Sequence, residues 1–296
     1  MNFDRYHRRR LFSHSMTVLS GLAIVVILVP LVAVIYEAVV LGSPAFSFAF
    51  FTQRPALPCT PVSGVTCSLG GVYPPIEGTL VLIGLASLVA VPIGIAAAIF
   101  TVEYGRERAI ARVISATADV LAGIPSILAG VFVYALFLQY DRALAFSTLS
   151  GSLAISALMI PIVVRTSEEA LRTVPNSVRE AALALGIARW KIGVRIVLVT
   201  ALPGVVTGAL LSVARAAGEA APLLFTLGNG CLHPLQGLDQ EGCAMPLWIF
   251  IGATSPYQNW YTLAWGAALF LIVMILAISL SSRLVLNQVA RRARGE

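Results

Sequence analysis

Arg215 and Glu219 stand in a stretch that is otherwise small or apolar, since residues 214–226 read Ala-Arg-Ala-Ala-Gly-Glu-Ala-Ala-Pro-Leu-Leu-Phe-Thr. A charge at the centre of a bilayer costs about 2.5 to 3.5 kcal/mol even on the lenient insertion scale, so a pair held there must be doing something. Four positions apart, the two are expected on one face of a helix. Ala214, Ala216, Ala217, Gly218, Ala220 and Ala221 leave that face small enough to approach another helix or to line a water-filled seam. The guanidinium, read as the only cation within the membrane, keeps its charge, and its planar fork matches a tetrahedral oxyanion. A passing anion could displace Glu219 as the partner of Arg215 and leave as the pair re-forms. The alternative is a permanent salt bridge that locks two helices and touches no solute.

A second unusual place is Asp119 followed by Gly123-Ile124-Pro125-Ser126 and Gly130. Proline inside a span frees a backbone carbonyl, which Ser126 or a neighbouring helix could satisfy, and helices broken in this way line cavities. A kink used only for packing is the competing explanation.

The third place is a charged interruption. From Arg165 to Arg195 run Arg165, Glu168, Glu169, Arg172, Arg179, Glu180, Arg189, Lys191 and Arg195, flanked by apolar segments, which reads as a soluble helical hairpin between two spans. Pro175-Asn176-Ser177 stops one helix, and Ser177 with Glu180 is expected to form a capping box that starts the next. Gly186 supplies the left-handed residue that ends it, and the chain re-enters a helix at Ala188. Exposed Ala181 and Ala182 suit a shallow socket in another protein.

Here the chain resembles the permease subunits of importing ABC transporters, whose signature is Glu-Ala-Ala, three residues, Gly, nine residues, then Ile-x-Leu-Pro. Glu180-Ala181-Ala182, Gly186, Ile196 and Leu198 stand at those spacings, with Val199 in place of the proline. The resemblance implies a MetI-like fold and a loop that docks into a groove of an ATPase subunit. The 214–226 stretch, and the Gly-x-Pro-Ser segment from Asp119 to Gly130, are similar to the membrane subunits of the phosphate-specific transporter, closer to the PstA type. That similarity covers about residues 70–285 and implies that Arg215 and Glu219 are the phosphate-pathway charges, with Asp119 and Ser126 beside them. It also implies a second permease of the PstC type, two ATP-binding subunits of the PstB type and an external phosphate-binding protein of the PstS type.

The elements that must position these residues follow from composition. A chain of 296 residues that is 58% hydrophobic and only 11% charged, with mean hydropathy +0.89, is a polytopic membrane protein; soluble domains carry about 25% charged residues. Six stretches reach the roughly 20 residues needed to cross: about 17–41, 78–101, 112–138, 144–164, 200–227 and 260–283. The expected fold is therefore all-α with six transmembrane helices. The first run is too long for the core of a secretory signal and reads as an anchor. Domains are expected as 1–70 (basic segment, first span and outer loop), 71–285 (transmembrane domain with coupling loop 165–199) and 286–296, a basic tail touching anionic lipid.

Orientation follows from the arginines. Arg5, Arg8, Arg9, Arg10, Arg106, Arg108, Arg112, those of the loop 165–195, and Arg283, Arg291, Arg292 and Arg294 fall on one side; only Arg54 and Arg142 fall on the other. By the positive-inside rule both termini and the coupling loop are cytoplasmic in a prokaryotic inner membrane. The net charge of +6 reflects this topology and no nucleic-acid partner.

Glu37 is read as structural, at the outer end of the first span. All four cysteines fall in outer loops, Cys59 with Cys67 and Cys231 with Cys243, which favours two local disulfides on the oxidising side. Four cysteines allow three pairings, and free thiols are the alternative. His233 is the one histidine outside, too little for a zinc site. Residues 245–251 read as a short re-entrant or surface helix, and Trp248, Tyr257, Trp260 and Tyr261 as an aromatic belt.

The sole lysine, Lys191, lies between Trp190 and Ile192, so the chain lacks a phosphate-binding loop. The chain is expected to bind no cofactor or metal itself, with ATP and Mg held by a separate subunit, and no segment is large enough to select a solute. An intramembrane protease would need paired aspartates or a Ser-His pair. An ion-coupled transporter built on Arg215, Glu219 and Asp119 would leave the 180–198 pattern unexplained. An oxyanion other than phosphate, such as sulfate, molybdate or phosphonate, would also suit the arginine.

Overall fold

Apolar sequence in lipid must satisfy every backbone group within itself, and the chain does so as helices. The computed structural model describes residues 3–59, 67–105, 108–228 and 230–294, with side chains except at 3–8, 11 and 282–294. Arg106 and the side chains of Arg5, Arg8, Arg283, Arg291, Arg292 and Arg294, which the orientation argument used, lie outside the described residues, as do those of the basic tail. Among the described residues there is no strand, only a bridge between Pro55 and Gly70.

The long helices are α1 (Phe3–Gly42), α2 (Tyr73–Ile99), α3 (Ala109–Gly123), α4 (Ser126–Leu138), α5 (Thr148–Arg172), α6 (Asn176–Ala184), α7 (Leu198–Ala216), α8 (Met245–Ala253) and α9 (Gln258–Arg294). A π-helical turn, Phe100–Tyr104, extends α2, and another, Ile192–Val197, leads into α7. Five helical stretches are long and apolar enough to cross a membrane: 12–45, 73–104, 148–172, 189–216 and 258–281. The third expected span is instead the pair α3 and α4, bent by 104° at the break between them. Pro125 explains the bend, because it has no N–H to donate and holds Ile124 in extended backbone (ψ 132°).

The fifth expected span also departs from a simple helix. Regular α-helix stops at Ala216, and only the short helix Leu223–Thr226 follows. Pro222 cannot continue the ladder, and the chain tightens through Gly218 N–H to Arg215 C=O (3.1 Å) and Glu219 N–H to Ala216 C=O (3.2 Å).

Helix α5 is the spine. It packs most extensively along α2 and next along α7, and it also meets α3 and α4. Around it lie two apolar cores. One, at the disulfide end, gathers Phe50, Leu82, Met159, Leu227, Met245, Trp248 and Leu263; the other, at the α6 end, gathers Val102, Leu171, Val174, Ala182, Ile192 and Val197. Helix α1 stays largely apart, with its apolar face exposed along 18–36, and meets α9 near Gly42. Glu37 is exposed.

Cys59 is bonded to Cys67 and Cys231 to Cys243. Asn259, 3% exposed, donates to Leu57 and Ser68 carbonyls and accepts from Cys59 N–H, while Trp260 Nε1 donates to Ala56, so the first loop is tied to the start of α9. The 245–251 stretch is no surface helix: α8 buries Met245, Pro246, Leu247 and Trp248. Trp248 accordingly leaves the expected belt and enters the core against Trp260, 5.1 Å between centroids, because a nine-residue helix this apolar is stable only when covered. Tyr257, Trp260 and Tyr261 remain half-buried.

Candidate functional site

The two breaks meet at a cavity of about 290 Å³. Leu121, Ala122, Ile124, Pro125 and Ser126 form one wall, Leu158, Met159 and Ile162 of α5 another, and Ser212, Arg215, Ala216 and Glu219 the third. Arg215 stands in the last turn of α7, and Glu219 lies beyond the helix end. The two therefore do not share a helical face as expected; Glu219 is brought back by the turn at 216–219, because Gly218 and Pro222 end the helix between them. Arg215 Nε is 3.8 Å from Glu219 Oε1, too far for a hydrogen bond. With 68% of its side chain exposed against 25% for Glu219, the arginine fork is open to another partner. Ser126 is the first residue of α4 and is half-buried in the wall. Ser212, one turn before Arg215 and fully buried, is a wall residue that i,i+3 spacing could have revealed.

Asp119 belongs to a neighbouring cavity of about 540 Å³, lined also by Thr101, Arg112, Ser115, Arg165 and Arg172. It pairs with Arg165. Arg165 also donates to Glu168 Oε2 (2.8 Å) and to the Ser115 carbonyl (2.9 Å), and buried Glu168 accepts from Thr101 (2.7 Å) and Ser115 (3.1 Å). Arg165, expected in the cytoplasmic loop, thus stands inside α5, so Arg215 is not the only cation in a membrane-length helix. The reason is that two carboxylates, Asp119 and Glu168, and the Ser115 backbone carbonyl compensate its charge, a set that no single span of sequence displays.

Helix α6 begins two residues earlier than the expected capping box requires. Pro175, extended at ψ 145°, is the N-cap, and its carbonyl takes Val178 N–H, which leaves Ser177 inside the helix. The C-terminal end follows the expected form: Gly186 has φ +73°, with Ile187 N–H on Ala182 C=O (3.2 Å) and Gly186 N–H on Leu183 C=O (2.9 Å). Glu180 and Ala181 face outward, but Ala182 turns inward onto Val102 and Ile192, since a nine-residue helix needs one apolar face on the body. Ile196 and Leu198 are half-buried against the same core. Leu183, Leu185 (80% exposed) and Trp190 (55% exposed) supply the outward apolar surface instead.

A bent helix pair and a broken helix enclose a cavity, and a capped helix protrudes at one end of a body built on helices long and apolar enough to cross a membrane. Residues 90–295 match the family described as binding-protein-dependent transport system inner membrane component, and the chain belongs to that family. It is 43% identical over 227 residues to phosphate transport system permease protein PstA 1 of Mycobacterium tuberculosis, covering 76% of this chain and 72% of that protein. It is 34% identical over 290 residues to phosphate transport system permease protein PstA of Pasteurella multocida, covering 97% and 99%. Its fold is shared with the inward-facing MetNI methionine ABC transporter (TM-score 0.57, 19% identity, 74% of this chain and 94% of that one). A bacterial ABC transporter for alginate import shares it too (TM-score 0.55, 15% identity, 96% and 98%). As a component of this family the chain is a non-catalytic inner-membrane subunit that works with a partner permease, an ATPase and a binding protein.

Proposed function

We propose that the chain is the PstA-type permease of an ATP-driven phosphate importer, and that phosphate passes the Arg215 cavity. The observation that carries this reading is the open fork of Arg215 at the rim of the 290 Å³ cavity, loosely opposed by Glu219. A planar guanidinium grips a tetrahedral oxyanion at two points, and a carboxylate 3.8 Å away provides a substitute partner for release. Ser126 completes the wall. The next cavity along α3 and α5 repeats the pattern with Asp119 and Arg165, so the path runs between acid–base pairs toward the coupling end.

The partners in this reading are a PstC-type permease, two PstB-type ATPases that hold ATP and Mg, and a PstS-type phosphate-binding protein outside. Glu180, Ala181 and Gly186 meet the ATPase, while Ile196 and Leu198 seat the loop on the body. Both termini and α6 lie in the cytoplasm. The test is labelled phosphate uptake in cells carrying Arg215→Ala, with sulfate measured alongside. Loss of phosphate uptake alone supports the reading; unchanged phosphate uptake removes Arg215 from the path, and a parallel loss of sulfate uptake makes the site a general oxyanion gate.

A further inference from the structure

We propose that the ion pair between Glu103 and Arg179 is the link through which the coupling helix moves the membrane body, acting on the π-helical turn Phe100–Tyr104. This rests on reading α6 as the docking element for an ATPase.

Arg179 sits one residue before Glu180, on the inward side of α6, and its side chain is only 12% exposed; Glu103 is 9% exposed. The guanidinium ties α6 to two other elements at once, the π-helical turn and the end of α5. Its Nε lies 3.0 and 3.3 Å from the two Glu103 oxygens, Nη2 lies 2.7 Å from Glu103 Oε1, and Nη1 and Nη2 reach the carbonyls of Val174 (2.6 Å) and Leu171 (3.0 Å) at the end of α5. Val178 and Ala182 of α6 add apolar contact, in the cluster that also holds Val102 and Ile192. Apolar contact is non-directional and lets a short helix slide. A two-point ion pair fixes direction and register, so a displacement of α6 reaches Glu103 as a pull rather than a slip.

Glu103 lies in a place suited to receive it. The turn Phe100–Tyr104 is π-helical, a form concentrated where helices bend for function. Two residues before Glu103, Thr101 donates to Glu168 (2.7 Å), which also holds Arg165 and through it Asp119. On its other side lies the second π-helical turn, where a β-carbon at Gly193 would stand 3.2 Å from the Tyr104 hydroxyl. One turn of chain thus joins α6 to α2, to the polar cluster on α5 and to the lead into α7, the helix that carries Arg215. Glu103 and Arg179 are positioning residues: they touch no solute and act through α2 and α5.

The test uses the full transporter, this chain with its partner permease, ATPase and binding protein, reconstituted in vesicles, and measures phosphate taken up per ATP hydrolysed. Glu103→Gln is expected to keep the ATPase subunit in a pull-down and to leave ATP hydrolysis running, while uptake per ATP falls about tenfold, a usual size for a coupling interaction. Glu103→Asp, which keeps the charge, recovers part of it. Unchanged uptake per ATP in Glu103→Gln overturns the inference, and so does joint loss of uptake and of the bound ATPase, which would make the pair a docking brace. Should Glu103→Gln fail to accumulate, Arg179→Lys, which keeps the charge but loses the fork, is read by the same ratio. If the unaltered chain retains no ATPase subunit, the docking reading of α6 fails first; if it does and the variants couple normally, this inference alone falls.

Discussion

Gly130 of α4 lies against the backbone of Pro222: a β-carbon at Gly130 would come within 2.6 Å of Pro222 Cα. Helix α4 and the second break, 217–222, are therefore in contact, and the cavity with Arg215 is lined by the residues on either side. Gly130→Val is expected to force them apart, because backbone on the far side cannot swing away as a flexible side chain would. Overpacking of this kind costs about 1–3 kcal/mol. The purified complex should melt at lower temperature and take up less phosphate; a variant with unchanged melting and uptake would show that α4 is not packed on the second break in the working transporter.

Arg215→Lys separates charge from shape. Lysine keeps the positive charge but offers a point rather than a fork, so uptake is expected to persist with a raised apparent KM. Glu219→Gln acts on the opposite step. Without a carboxylate to reclaim the arginine, the anion leaves more slowly, so maximal uptake should fall with little change in KM. Initial-rate uptake over a range of phosphate concentrations distinguishes the two, and identical kinetic signatures for both variants would reject exchange of partners at Arg215.

The helices themselves were legible because spans are long and locally encoded. Gly123-Ile124-Pro125 marked the first break, and Pro222 carried the signal for the second, yet an apolar run continuing to residue 227 concealed it behind a reading of one helix. Arg215 and Glu219 stood out against small residues, but their geometry depended on that break. Partnerships across the chain were not legible. Glu103 with Arg179 and Glu168 with Thr101 are separated by 76 and 67 positions, and no periodicity links them. Ala182 was misjudged for a related reason: which face of a short helix turns inward is set by the body it rests on, here Val102 and Ile192.

Gly186 allows the turn and the docking surface to be told apart. Its φ of +73° disfavours any side chain, yet a β-carbon there would meet nothing within 4 Å. Gly186→Ala should therefore cost only the left-handed strain, about 1–2 kcal/mol, and leave co-purification of the ATPase subunit intact. Gly186→Trp adds bulk beside exposed Leu185 and should abolish co-purification at similar backbone cost. If both variants retain the ATPase subunit, this end of α6 is not the docking surface.

The two disulfides close loops of similar size, with sequence separations of 8 and 12, so chain entropy alone would give each about 2–3 kcal/mol. Their surroundings predict unequal effects. Cys231 and Cys243 are 3% and 4% exposed within the core at the disulfide end, and the loop they close presents the Leu238 and Gln240 carbonyls to the N–H groups of Leu149 and Thr148 at the start of α5. The residue after Cys243 leads into Met245, whose N–H is held by Thr79 (2.7 Å) on α2. Loosening this loop therefore frays the starts of α5 and α8. The first loop has a separate anchor, since Asn259 and Trp260 hold Leu57, Ser68 and Ala56 whether or not Cys59 is bonded to Cys67. Cys231→Ser with Cys243→Ser should lower the melting temperature of the purified complex more than Cys59→Ser with Cys67→Ser. Equal losses in the two variants would mean that loop closure, and not the capping of α5 and α8, is what the bonds contribute.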